Sequence, residues 1–146
     1  MAEFRKEFPE TEYLVQQTVI PKMVGKDPVW LRVFYVCDEI FFTFWNPETK
    51  LFYHTHPVEL EASLIKVFSF IMEEIAKVSK LRFFSTEIAV KPDNSPVVID
   101  YVNDPVDMRP KSSHKDGIPD EVMEKISMSL LKFLVTTPVA PKTVQL

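Results

Sequence analysis

Glycine is nearly missing from this chain: Gly25 and Gly117 are the only two in 146 residues. That excludes a Gly-rich loop to cradle phosphates, so neither a Walker motif nor a dinucleotide-binding fingerprint is available. Any nucleotide chemistry must use another scaffold or borrow a missing part. Cysteine is scarcer still. Cys37 alone excludes an intramolecular disulfide and suits a reducing, cytoplasmic setting; flanked by Tyr35, Val36 and Ile40, it reads as a core residue at a strand end. Basic residues are in deficit, 17 against 21 acidic for a net charge of −4, so the basic face that general nucleic-acid binding needs is lacking. Long apolar runs are absent too: none approaches the roughly 20 residues of a membrane span. The polar, charged start from Met1 to Glu7 is no signal peptide. Neither nucleic acid nor membrane is an expected partner.

What is present is an apolar content of 46%, enough for one core at this length. The expected organisation is a flexible polar segment over 1–12, a folded unit over 13–137 and an extended, Pro-bounded tail over 138–146. Tyr13–Ile20 reads as a strand ended by Pro21, and a loop carrying Gly25 and Pro28 follows. Val29–Cys37 and Ile40–Trp45 form a hairpin rich in β-branched and aromatic residues, with Leu51–His54 as a short edge strand. From Val58 to Lys80 the period changes: Leu60, Leu64, Val67, Phe68, Ile71, Ile75 and Val78 recur at helical spacing. Strands at Phe83–Val90 and Val97–Val102 come next, then a polar loop over Pro105–Pro119 and a helix from Asp120 to about Val135. This order implies an α+β fold: an antiparallel sheet of about five to six strands, with two helices on one face and the other face left to bind something.

The chemistry concentrates in the second hairpin. If it closes with Val90 opposite Val97 around the turn Lys91–Pro96, Glu87 lies directly across from Asp100. Like charges facing each other on an antiparallel pair destabilise it, and apolar company makes that worse. A divalent cation or a shared proton would compensate, and Asn103 and Asp104 just downstream add oxygen ligands of the kind that magnesium prefers. The bland alternative is that both carboxylates face water, and a one-residue slip would put them on opposite faces.

Other candidates carry weaker signals. Arg32 interrupts the apolar strand Trp30–Phe34, where a guanidinium either pairs with a structural carboxylate or reaches an anionic ligand. Arg109 and Lys111, in a basic loop with Ser112, Ser113 and His114, either stay solvated or receive a carboxylate substrate or transferring phosphoryl group. His54 and His56 have the alternate spacing of a zinc pair but no evident third ligand. Trp30, Phe41, Phe42, Phe44 and Trp45 read as core.

Taken in order, these segments resemble the C-terminal half of an ATP-grasp domain. Leu14–Pro21 is similar to that family's hinge strand, and the resemblance implies that Gln16, Gln17, Thr18 and Val19 bind the adenine of ATP. Leu31-Arg32-Val33-Phe34 resembles the next strand, which implies that Arg32 faces the phosphates in a catalytic role. Thr86-Glu87-Ile88 and Val98–Asn103 resemble the strands that supply the magnesium ligands, here Glu87, Asp100 and either Asn103 or Asp104. In the family the acid and the asparagine commonly stand two apart; here Asn103 is three after Asp100. Either a β-bulge turns Asn103 inward or Asp104 replaces it. The family's usual Pro-Gly after the asparagine is also missing.

The resemblance implies magnesium and ATP as cofactors and a parent enzyme that activates a small-molecule carboxylate as an acyl phosphate for ligation, with Arg109 and Lys111 meeting the substrate. The N-terminal subdomain, which closes over the phosphates with a lysine and a small-residue loop, has no counterpart before Tyr13, so this chain alone is expected to be inactive. The alternatives are part of an ATP-grasp-type small-molecule kinase, or a non-catalytic binding or assembly module retaining the fold. An open sheet face exposing Trp30, Phe34, Phe42 and Phe44, or the edge strand Leu51–His54, would further favour a homodimer.

Overall fold

A computed structural model describes residue 6 and residues 10–12, 16–53 and 60–137. Tyr13–Val15, His54, His56 and the 138–146 tail lie outside the described residues, as does most of the 1–12 segment. The chain is α+β, with strands β1 (Met23–Val24), β2 (Asp27–Pro28), β3 (Trp30–Val36), β4 (Glu39–Asn46), β5 (Leu51–Tyr53), β6 (Phe83–Val90) and β7 (Pro96–Asn103) and helices α1 (Ala62–Ser79) and α2 (Asp120–Thr136). Five strands form one antiparallel sheet in the order β5-β4-β3-β6-β7, and β1 and β2 pair separately. No helix among the described residues is long and apolar enough to cross a membrane.

The central strand β3 determines the layers. Its odd residues Leu31, Val33 and Tyr35 pack with Phe68 and Met72 of α1 and with Phe84, Ile88 and Val90 of β6. Its even residues Trp30, Phe34 and Val36 pack with Trp45, Phe52 and Ala89, with Ile118 of the 104–119 loop and with Ile126 of α2. Alternate residues of a strand point to opposite faces, so α1 and α2 cover opposite faces of the sheet. The expectation of both helices on one face is corrected accordingly. A strand apolar in both registers, broken only by Arg32, needs cover on both sides. The same cover removes the open sheet face, one of the two surfaces expected to favour a homodimer; the edge strand Leu51–His54 is the other. Trp30 and Phe34 are buried, and Phe42 and Phe44 pack against the α1-side core. Most of the large exposed apolar side chains lie instead on the helices, among them Phe70, Val78, Leu131, Leu134 and Val135.

The segment Gln16–Ile20 also departs from expectation: it forms no strand. Pro21 has no N–H to give a ladder, and the chain enters the sheet only at Lys22, whose N–H donates to the Val90 carbonyl at 2.7 Å. A tight hairpin of β1 and β2 then turns at Gly25, where φ of +62° suits glycine. The helices match their sequence periods. α1 ends at Lys80, in the left-handed region at φ 62°, with its N–H capped on the Ala76 carbonyl. α2 starts after Pro119 with Asp120 and Glu121 in its first turn, where carboxylates complement the helix dipole.

Candidate functional site

The acidic pair is real, and two irregularities in the β6–β7 ladder produce it. From the turn outward, Val90 faces Pro96, Ala89 faces Val97 and Ile88 faces Val98; then Glu87 faces Asp100. Ile99 is the extra residue of a β-bulge, and its side chain packs in the α2-side core. The hairpin thus closes one residue tighter than Val90 opposite Val97, and the bulge restores the pairing of the acids. In a regular ladder Glu87 would face Ile99, and Asp100 would face Thr86 on the α1 side. The second irregularity brings Asn103 opposite Ser85, where the Thr86 hydroxyl donates to the Tyr101 carbonyl at 2.7 Å. Of the two alternatives for the asparagine, the bulge is the one the structure adopts. Asn103 stands on the face of Ser85 and Glu87, half-buried, while Asp104 lies past the end of β7 and is exposed.

Glu87 is not left uncompensated. Arg32, its partner residue on β3, donates from Nη2 to Oε1, and the Trp30 indole Nε1 donates to Oε2 at 3.0 Å. The Arg32 and Glu87 side chains are 18% and 13% exposed, so the pair is well shielded from water. The compensating charge is therefore a guanidinium rather than the cation or shared proton expected for the acidic pair, and of the two alternatives for Arg32 the pairing with a carboxylate is the one seen. Asp100 on the neighbouring strand is exposed. Arg32 Nη1 reaches Ser85 Oγ only at 3.5 Å, and its guanidinium lies 5.0 Å over the Trp45 ring. Two buried donors, Arg32 Nε and Asn103 Nδ2, have no hydrogen-bond partner among the described residues. Unsatisfied buried donors are costly, and these two lie on one sheet face beside the acids.

Among the described residues, no group of three or more His, Cys, Asp or Glu is placed to hold a metal ion. The donors that do share this face are two carboxylates and an amide. Such an oxygen-only set suits a hard cation that keeps much of its water and takes further ligands from a bound phosphate.

Two concavities flank the site. Gln16–Ile20 runs along β7 and, with Lys91, Pro92 and Val97–Ile99, lines an open cleft of about 590 Å³. The four residues expected to meet adenine thus lie against the strand that carries Asp100, as irregular chain whose backbone is not committed to the sheet. On the other side, the 104–119 loop folds over the sheet and leaves a cavity of about 290 Å³ between itself, Arg32, Phe34, Trp45, Lys50 and Phe52. The loop is held by its own contacts. Pro110 bridges Ile118, the Lys111 N–H donates to the Ile118 carbonyl at 2.8 Å, and Ser112 donates to the Asp120 carboxylate from both N and Oγ. Gly117 passes so close that an added Cβ would sit 2.5 Å from the Pro110 carbonyl carbon.

Arg109 does line this cavity, together with Arg32. Its guanidinium spans the loop, donating to Asp107 at 2.7 Å and to Asp116 at 3.0 Å. Those hydrogen bonds hold both carboxyls below the ordinary carboxylate range and push the guanidinium further up. Lys111 is turned away: its ammonium donates to the Phe52 carbonyl at 2.6 Å and ties the loop to the edge strand. Sequence reasoning passed over Trp30 as a site residue and did not consider Lys50, which reaches the cavity from the β4–β5 turn. A tryptophan in an apolar strand carries no visible sign that its N–H meets a carboxylate. Lys50 becomes a neighbour of the loop only once the 104–119 segment folds back. No protein-family model matches the chain, and no curated protein matches it either.

Proposed function

We propose that this chain carries the magnesium- and adenine-nucleotide-binding half of an ATP-grasp-type site, in an enzyme that activates a carboxylate as an acyl phosphate for ligation. The observation that carries the reading is the Glu87–Asp100 pair, set facing by a bulge with Arg32 on the same face and the Gln16–Val19 cleft on the adjoining strand. Asp100 and Asn103 would hold magnesium, with Glu87 as the carboxylate between them and Arg32. Magnesium held by those residues would supply positive charge against a transferring phosphoryl group. Arg32 and Trp30 fix the Glu87 carboxylate, and the free edge of Arg32 offers donors to phosphoryl oxygens. The Gln16–Val19 backbone, unpaired by the sheet, presents N–H and C=O groups of the kind that read an adenine edge. A lysine and a small-residue loop closing over the phosphates would come from a second unit, and without them water is not excluded from the transfer.

A second reading is supported by one observation. Both oxygens of Glu87 are already engaged, by Arg32 and Trp30, as a structural ion pair would be in a binding or assembly module that performs no chemistry. A small-molecule kinase is the nearest enzymatic alternative. Calorimetric titration with Mg–ATP separates the first two. With half of the phosphate cradle absent, the enzyme-half reading expects at most weak binding, which needs the metal and is lost in Asp100→Asn; weak binding indifferent to metal or to that substitution favours the module.

A further inference from the structure

The cavity under the 104–119 loop has a chemistry distinct from the acidic pair. Its volume of about 290 Å³ falls at the lower end of small-molecule sites, about 300–1,000 Å³, so an occupant must be small. Its walls include the buried side chains of Phe34, Trp45, Phe52 and Ile118. The charged groups that line it are Arg32, Lys50 and Arg109 with Asp107 and Asp116, and Glu87 beside the cavity balances Arg32. Those five are unequally committed. Arg109 is fully engaged by the two aspartates. Arg32 gives Nη2 to Glu87 but holds only a long contact from Nη1. Lys50 is exposed at the rim, with no ion-pair partner among the described residues.

We propose that this cavity binds a small organic monocarboxylate with a flat or branched apolar body. The carboxylate is received by the Lys50 ammonium and Arg32 Nη1, and the body lies against Trp45, Phe52 and Ile118. A carboxylate accepts two such charge-assisted donors readily. A phosphate dianion fits less well, because it brings a second negative charge beside Asp107 and Asp116. Binding itself stands on the cavity alone. Its identification with the carboxylate to be activated rests on the enzyme reading above and deepens it.

The test follows the Trp45 indole and the Lys50 and Ile118 amides by NMR while benzoate, benzamide or inorganic phosphate is added to the full chain. Benzoate is expected to give saturable shifts at all three. Benzamide, with the same ring and no charge, should bind at least about tenfold more weakly. Lys50→Met should weaken benzoate about tenfold while the melting temperature stays unchanged, since Lys50 makes no ion pair among the described residues. Equal binding of benzamide, no saturable shift with benzoate, or full affinity in Lys50→Met each overturns the proposal. Phosphate binding tighter than benzoate overturns the carboxylate assignment. Mg–ATP added to the same sample separates the two claims. Benzoate binding without any nucleotide response at Gln16–Val19 or Asp100 sinks the enzyme reading and leaves this site standing; the converse sinks this site alone.

Discussion

Glu87 faces Asp100 because Ile99 is bulged out of the ladder between them. The bulge costs a regular pairing and sets two carboxylates across from each other, an arrangement that sheet energetics alone disfavours. Arg32 and Trp30 absorb the charge on Glu87 but leave Asp100 exposed. Asp100 therefore contributes little to folding where it stands. Asp100→Asn is expected to leave stability unchanged or to raise it by about 0.2–1 kcal/mol, through relief of the facing charge. Urea unfolding measures it; a clear loss of stability would mean that Asp100 has a structural partner.

Glu87 behaves in the opposite way. Removing one member of a shielded ion pair strands the other, so Glu87→Ala should cost about 3–5 kcal/mol by leaving Arg32 buried and unpaired. The double replacement Arg32→Met with Glu87→Met should cost far less than the single change, since no buried charge is left over. A double-mutant cycle checks this. Near-additive losses would show that the pair is no coupled unit.

The architecture was legible in the sequence wherever one local signal dominated. The helical period of Leu64, Phe68, Ile71 and Ile75 located α1, and the turn residues of Lys91–Pro96 located the last hairpin. What it did not carry was cover. The apolar run of β3 allows either helix to take either face, and only the packing of Ile118 and Ile126 onto Trp30 and Phe34 shows that α2 took the second. The segment Gln16–Ile20 has a strand's composition, but composition does not supply a pairing partner, and β7 offers it a cleft rather than a ladder. The facing acids were reached from a register one residue off near the turn, since no turn residue announces a bulge at Ile99. Lys50 could not be linked to Arg109 by spacing at all.

Gly117 closes the loop over the sheet, where a Cβ would overlap backbone atoms of Pro110 and Arg109 that cannot yield cheaply. Gly117→Ala should destabilise the chain by about 1–3 kcal/mol and should alter the benzoate response of the cavity. Thermal unfolding together with the same NMR titration reads both. An unchanged melting temperature would contradict the close approach.

Acid should release the loop clamp. Asp107 and Asp116 have folded values lowered from 3.8 by the Arg109 hydrogen bonds. Their contribution is complete above that ordinary value and is lost as pH falls through the lowered ones. Tyr35 gives the alkaline counterpart. Burial, then its hydrogen bond to Asp38, push its hydroxyl from 10.0 up to about 12. Its contribution is complete below pH 10 and is lost as pH rises toward 12. Absorbance of tyrosinate during an alkaline titration checks it; a Tyr35→Phe variant whose titration curve matches the parent's would contradict the assignment.

As proposed, Glu87, Asp100 and Asn103 form the metal-binding edge of a nucleotide site beside Gln16–Val19. Paramagnetic manganese tests it most directly. Trace Mn²⁺ is added with a non-hydrolysable ATP analogue to isotope-labelled chain, and line broadening is mapped residue by residue. The expected result is broadening centred on Asp100 and Asn103 and shifts at Gln16–Val19, both abolished in Asp100→Asn. Broadening spread over the surface carboxylates at large, or centred elsewhere and unaffected by that substitution, would contradict it.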